Sequence, residues 1–319
     1  MGNQKYYFNK SILTNVLKKI HYNNYIIIII KMTIKHLVLS GGGPSMIQTL
    51  GAIQHLEKKN IIQRANIQSI YGTSAGAIVG VLYCFQFEWE IINDYILKRP
   101  WKEVFSINIQ HILDAYTKKG IFDIKVIEKC FIPLLNAKDM KLDIDLKDFY
   151  EYSKIEMHFF SFEINRFELV DISYKTHPNL SLLTAIQMTC AIPVLLSPVL
   201  INEECFIDGG VVCNYPLKYC LETYPKEEEI LGLKNRYNTE ERNINTKITM
   251  ESNLLDFIMN FLFKIVINLG SNNKPPSIPM ELTLNTKYMS IEYFKKMFAS
   301  EEARRELFQN GIDAAEEFH

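Results

Sequence analysis

The apolar and polar positions divide the chain into segments of different character. From Ile34 the pattern is that of alternating strands and helices. Ile34–Leu39 is an apolar run, broken only by Lys35 and His36, that enters Gly41-Gly42-Gly43. A run of that form predicts a buried strand. Ile47, Leu50, Ala52, Ile53 and Leu56 then recur at helical spacing. Ile67–Tyr71 predicts a second strand. It enters another glycine-bounded turn, Gly72–Gly76, and Ala77, Ile78, Val81 and Leu82 continue as a helix. Two strand–turn–helix units in about 50 residues predict an α/β fold, a mostly parallel central sheet with helices on both faces. Met157–Phe162 and Arg166–Ile172 read as later strands, and roughly 90–150 as helical and charged.

The ends differ from this middle. In the first segment Ile12, Leu13, Val16, Leu17 and Ile20 share a helical face, and the five isoleucines Ile26–Ile30 follow. That run is too short to span a bilayer and lacks the small residues of a signal-peptide cleavage site. Gly2 fits a myristoylation motif poorly, because position 6 is Tyr. Residues 1–33 therefore read as a basic extension, either touching a membrane or disordered, with Met32 an alternative start. Beyond Tyr219, 227–245 is polar and loop-like. Leu254–Leu269 is intensely apolar but carries Asp256, Asn260, Lys264 and Asn268 as a narrow stripe. It predicts a helix, buried against the sheet or facing lipid as a lid. Two capped helices begin near Ser290 and Ser300. The expected organisation is an extension over 1–33, an α/β domain over 34–219, and a mostly helical region over 220–319 that packs on it or covers it.

Composition narrows the function classes. Lys and Arg number 35 against 36 Asp and Glu, so the net charge is −1, and 48% of residues are hydrophobic. That is ample apolar material for a core, which excludes disorder as the dominant state. Nucleic-acid binding through bulk positive charge is not expected either. The neutrality conceals an asymmetry: residues 1–56 carry six Lys and no acid, suiting an anionic surface. None of the six cysteines forms a C-x-x-C or meets a His at zinc-finger spacing, so neither a metal nor a cofactor is expected. Reduced thiols fit a cytoplasmic protein, peripheral at membranes if the extension binds there. Cys190 and Cys205 lie in apolar runs and read as small core residues.

The candidate chemistry centres on Gly72-Thr73-Ser74-Ala75-Gly76, a G-x-S-x-G sequence between a strand and a helix. A serine on such a turn is pushed out at the carboxyl edge of the sheet, and the flanking glycines avoid collision. The next helix turns its N–H groups and positive end toward a developing oxyanion. A nucleophilic serine needs a base. His36, His158, His111 and His177 fall in strand, strand, helix and loop patterns, and each reads as structural. Asp208, in Phe206-Ile207-Asp208-Gly209-Gly210, ends an apolar strand before two glycines. Standing alone, it reads as a turn cap ahead of a base.

Taken together, Gly41-Gly42-Gly43, the Ser74 turn, Ala191-Ile192-Pro193 leading to Ser197-Pro198-Val199, and Asp208-Gly209-Gly210 with Asn214 and Pro216 resemble the patatin-like phospholipases. The order and spacing match over about 36–219. The resemblance implies a three-layer fold with a helical C-terminal addition, and a lipid acyl hydrolase of phospholipase A type. Its catalytic pair would be Ser74 and Asp208, with no histidine, and Gly41, Gly42 and Gly43 would supply the oxyanion hole. Gly72, Gly76, Gly209 and Gly210 would support the motifs. The partners implied are a phospholipid or other acyl lipid and, peripherally, a membrane surface. One departure stands out. The family's loop reads G-G-G-x-R/K-G, whereas here it continues Pro44-Ser45-Met46, without the basic residue. An acyltransferase or small-ester esterase on the same fold, or a silent lipid-binding module, are the alternative functions.

Overall fold

A computed structural model of the chain describes residues 33–237, 247–272 and 276–318. The basic extension predicted over 1–33 therefore lies almost wholly outside the described residues. Ten strands are described: β1 (His36–Leu39), β2 (Ser69–Thr73), β3 (Gly120–Phe122), β4 (Glu156–Glu163), β5 (Glu168–Ile172), β6 (Val194–Leu196), β7 (Val199–Ile201), β8 (Glu204–Asp208), β9 (Ile230–Tyr237) and β10 (Glu281–Thr286). The helices are α1 (Met46–Lys58), α2 (Ala75–Cys84), α3 (Trp89–Lys98), α4 (Trp101–Val104), α5 (Ile109–Lys118), α6 (Ile124–Asn136), α7 (Leu146–Ser153), α8 (Leu182–Cys190), α9 (Leu217–Thr223), α10 (Leu254–Asn272), α11 (Ile291–Ala299) and α12 (Glu301–Glu316).

Strands β10, β9, β1, β2 and β4 lie side by side and all parallel. Side chains alternate across this sheet, as period-two geometry requires. Leu37, Leu39, Ile70 and Phe159 enter the larger core, under α1, α2, α8 and α12, while Val38, Tyr71 and Phe160 enter a smaller one against α9. The three-layer α/β expectation is met, and Ser290 and Ser300 cap α11 and α12 through Tyr293 N–H and Ala303 N–H.

One expectation needs correcting. The 227–245 stretch is not all loop: Ile230–Tyr237 is β9, paired with β1 on one side and β10 on the other. Its first four residues, Ile-Leu-Gly-Leu, are buried, and the polar Lys-Asn-Arg that follows hid the strand. The sheet thus crosses the boundary placed at 219, because β9 and β10 complete it from the C-terminal region. In α10 the apolar flank faces outward: Met259 and Phe263 are buried, whereas Leu254, Phe257 and Phe261 are exposed. Among the described residues no helix is long and apolar enough to cross a membrane.

Strand β4 positions the site. At Phe159 and Phe160 its two edges are held by β2 and β5. Where β2 ends, with Thr73 opposite Phe160, β8 takes over the same edge in the antiparallel sense and ends with Asp208 opposite Ser161. Two strands thus meet end to end along one edge.

Candidate active site

That meeting brings Ser74 to Asp208. Ser74 has φ 52° and ψ −124°, a strained backbone for a residue with a side chain. The surroundings hold it there. Its N–H donates to Thr189 Oγ1 at 2.9 Å, and Thr189 Oγ1 donates to the Phe160 carbonyl at 2.6 Å. The elbow is thereby tied to the β4 residue at which β2 stops. The glycines are there for closeness: a Cβ on Gly76 would lie 2.3 Å from the Leu39 carbonyl oxygen, and one on Gly209 2.4 Å from that of Phe160. Gly72 and Gly210 are similarly crowded, by Ala77 and by the Asp208 carboxylate.

Asp208 is buried. Its N–H donates to the Ala191 carbonyl at 3.0 Å, and its Oδ1 accepts the Gly210 N–H at 2.7 Å. Burial pushes its carboxyl up to about 6, against the opposing pull of hydrogen bonds from the Ser74 hydroxyl and the Gly210 N–H. A thiol shares the place. Cys190, expected in the core, is half-buried at the end of α8, where it contacts the Ser74 hydroxyl. Burial, and then the nearby Asp208, raise its pKa well above the ordinary thiol value. It is therefore a neutral neighbour rather than a rival nucleophile. Sequence reasoning missed this role, since a cysteine in an apolar run gives no signal of it.

The glycine loop is held by its carbonyls. Gly41 O accepts from Asn214 Nδ2 at 3.0 Å and from Asn235 Nδ2 at 2.9 Å. Asn235 Nδ2 also donates to Ser45 Oγ at 2.7 Å, and Ser45 Oγ donates to Gly42 O at 3.1 Å. The Gly41 N–H is spent on the Asn214 carbonyl at 2.9 Å. Of the three expected donors, Gly42 and Gly43 remain, with no hydrogen-bond acceptor for their N–H among the described residues. Gly43 takes φ +56°, which suits glycine. Ser45, where the family pattern has Lys or Arg, is fully buried and linked to Asn235. The clamp comes from β9, a strand whose polar second half carries Asn235.

Two cavities meet at Gly43, Ser74, Ile192 and Phe263. One is a recess of about 30 Å³, room for about one water molecule, walled by Gly42, Asp208 and Asn214 and roofed by Leu262 and Phe263 of α10. The other is an apolar cavity of about 310 Å³ running from Ser74 past Ile78 and Phe105 to Ile127 and Leu134. No histidine lines either one. His36 stacks on Tyr224, and His158 stacks on Tyr71 with its Nδ1 2.9 Å from Asp171. His111 closes the N-terminal cap of α5, and His177 contacts Thr176 in a loop. Among the described residues no cluster of three His, Cys, Asp or Glu is placed to hold a metal ion.

Comparison with known proteins supplies the family. A protein of Invertebrate iridescent virus 6, named probable lipid hydrolase 463L, is 25% identical over 217 residues, covering 66% of this chain and 73% of that protein. An uncharacterised protein, R571, of Acanthamoeba polyphaga mimivirus is 24% identical over 228 residues, covering 71% of this chain and 74% of its own. Among solved structures, VipD of Legionella pneumophila is similar at a TM-score of 0.49 and 20% identity, over 89% of this chain and 66% of that one. ExoU of Pseudomonas aeruginosa, in its complex with SpcU, gives a TM-score of 0.36 at 13% identity, over 88% of this chain and 52% of that one. The chain spans about two thirds of the first of these structures and about half of the second. The model of the patatin-like phospholipases matches residues 37–221, from β1 to α9 and so through every turn that builds the Ser74 site, and the chain belongs to that family.

Proposed function

We propose that the protein hydrolyses fatty-acyl esters of lipids, in the manner of a phospholipase A, through an acyl-enzyme on Ser74 with Asp208 as the base. Family membership supports lipid ester hydrolysis in general. The observation that carries the finer reading is a serine hydroxyl bonded to a buried carboxylate with its pKa near 6, at the head of an apolar cavity. A carboxylate in water is a poor base for an alcohol. Burial raises its proton affinity toward the working range of a general base.

In the first half-reaction Ser74 Oγ attacks the ester carbonyl while Asp208 takes its proton. Gly42 and Gly43 line the recess, and their N–H groups receive the oxyanion, a donor in such a position contributing about 3 kcal/mol. The intermediate collapses, and Asp208 returns the proton to the departing alcohol oxygen. The fatty-acyl chain stays in the apolar cavity, bound to Ser74. Water then takes the alcohol's place, Asp208 accepts its proton, and the free fatty acid leaves as Oγ is reprotonated.

Release of fatty acid from mixed phospholipid vesicles by the purified protein tests this reading, with Ser74→Ala as the control. Release that vanishes in the variant is the expected result. Equal release from both proteins would remove Ser74 from the mechanism.

A further inference from the structure

The most unusual surface of the molecule is the one beside the apolar cavity. Helix α5 buries none of its residues. Ile109, Ile112, Leu113 and Tyr116, spaced to share one face, all point to solvent. On α10, Leu254, Phe257 and Phe261 do the same. These seven side chains range from 52% exposed at Phe257 to 95% at Tyr116. A surface helix ordinarily turns its apolar stripe inward, and an exposed patch of large apolar residues marks an interaction site. Helix α5 owes its form to local bonds. Asn108 caps it by accepting the His111 N–H at 2.9 Å, and Lys118 pairs with Asp114 at 3.2 Å and Asp123 at 3.1 Å.

Two observations say what covers this surface. The first is continuity. Immediately before α5, Ile107 and Phe105 line the cavity that starts at Ser74, and Phe105 stacks on Phe298 at 4.1 Å within that wall. On the other wall, Phe263 of α10 lines the same cavity, two residues from the exposed Phe261 and on the opposite face of the helix. The apolar wall of the cavity thus leads out through Phe105 and Ile107 to the segment that enters α5, and α10 borders the same cavity through Phe263. The second is charge. Residues 98–129, which carry α5, hold seven basic against four acidic residues, and 287–296 hold three against one, in a chain whose net charge is −1. These two segments together are thus +5 and the remainder of the chain −6. An apolar helical face set in a cationic surround fits an anionic bilayer.

We propose that the outward faces of α5 and α10 seat the protein on an anionic lipid bilayer, so that an acyl chain passes from the membrane into the cavity without crossing water. The passage of substrate rests on the acyl-hydrolase reading above; the docking surface itself does not.

The test uses the full chain and vesicles of equimolar phosphatidylcholine and phosphatidylserine. The variant Ile112→Gln, Leu113→Gln, Tyr116→Gln removes apolar surface from a helix with nothing buried and adds no charge. Co-sedimentation with vesicles should weaken by about tenfold or more. Vesicle hydrolysis should fall in parallel, while turnover of a soluble short-chain ester stays at the wild-type rate. Binding should also weaken on phosphatidylcholine alone and as salt rises. Unchanged binding by the variant overturns the proposal, as does a wild type that does not bind these vesicles. A wild-type dimer that the variant breaks, without vesicle binding, assigns the surface to a second copy and overturns it too. If the triple variant loses soluble-ester turnover, Tyr116→Gln alone carries the test, and binding equal to wild type again overturns it. Vesicle binding through this face without any ester hydrolysis would instead sink the hydrolase reading and leave the docking surface standing.

Discussion

The buried state of Asp208 makes a prediction that joins stability to catalysis. In an unfolded chain an aspartate titrates near 3.9. In the folded protein Asp208 titrates at about 6, because burial outweighs its hydrogen bonds from Ser74 and Gly210. The folded state therefore holds the proton more tightly than the unfolded state. Below about pH 4 both states are protonated and the group costs nothing. As pH rises from about 4 to 6 the unfolded chain releases the proton first, and stability falls. Above about 6 the penalty is complete. Two units correspond to about 3 kcal/mol. Asp208→Asn keeps the shape and removes the charge, so the variant should exceed wild type in stability by up to about 3 kcal/mol at pH 8 and match it at pH 4. For a chain of 319 residues that is a rise in Tm of about 4 °C.

Thermal melts of wild type and Asp208→Asn at pH 4, 6 and 8 measure this directly. Ester turnover should fall by about 10³-fold or more in the variant, while wild-type kcat/KM rises with pH and levels off above about 6. A Tm difference that is the same at all three pH values, or a variant less stable than wild type at pH 8, would refute the reasoning. Asp208 would then be an ordinary carboxylate whose charge is compensated in the fold.

Other residues make narrower tests. Ser74→Gly should raise stability by about 1 kcal/mol, as φ 52° and ψ −124° no longer strain a side-chain-bearing residue, and abolish turnover; a stability loss in a melt would contradict the strain. Asn235→Leu removes the amide that holds Gly41 O and Ser45 Oγ, and should lower kcat by about 10- to 100-fold with KM little changed. A change confined to KM would show that the clamp serves binding instead. Burial opposes the charged form of His158, but Asp171 and the more distant Glu156, 3.4 Å from Nε2, prevail and raise its pKa. Its stabilising effect is therefore full below about 6.5 and lost as pH rises through the raised folded value. His158→Gln should lower Tm at pH 6, lower it less at pH 9, and leave the pH midpoint of turnover in place.

The parts of the fold legible in the sequence are those in which local pattern and final environment agree. The apolar runs before Gly41 and Gly72 became β1 and β2, and Ser290 and Ser300 cap α11 and α12 as their spacing predicts. Strand β9 was hidden because Lys234, Asn235 and Arg236 interrupt its apolar start, and only pairing with β1 and β10 makes it a strand. The site shows the same division. Ser74 and Asp208 are visible as motifs, since each turn is built from adjacent glycines. The engagement of the Gly41 N–H by Asn214, the clamp from Asn235 and the place of Cys190 depend on contacts between distant segments. Helix α10 shows why periodicity alone misleads. Its polar stripe does not mark the solvent side: Asp256 and Asn260 are half-buried, while Phe257 and Phe261 face out and Phe263 faces in. A pattern tells which residues share a face and not which way that face turns.

The end-to-end meeting of β2 and β8 also bears on why a carboxylate is the base proposed for Ser74. Thr73 and Asp208 stand opposite Phe160 and Ser161, consecutive residues on one edge of β4. The recess beside the two strand ends is small, about 30 Å³. An imidazole at 208 would have to fit in the recess that Gly210, Leu262 and Phe263 line. Asp208→His should therefore fail to restore turnover, although histidine is the stronger base in water. It should also lower Tm, because the ring is larger than the buried carboxylate it replaces. Ester hydrolysis and labelling of Ser74 by a fluorophosphonate, compared with Asp208→Asn at pH 8, decide the matter. A histidine variant clearly faster than the asparagine variant would mean that the recess accepts an imidazole. The carboxylate would then be one workable base among others, and the strand geometry would no longer account for it.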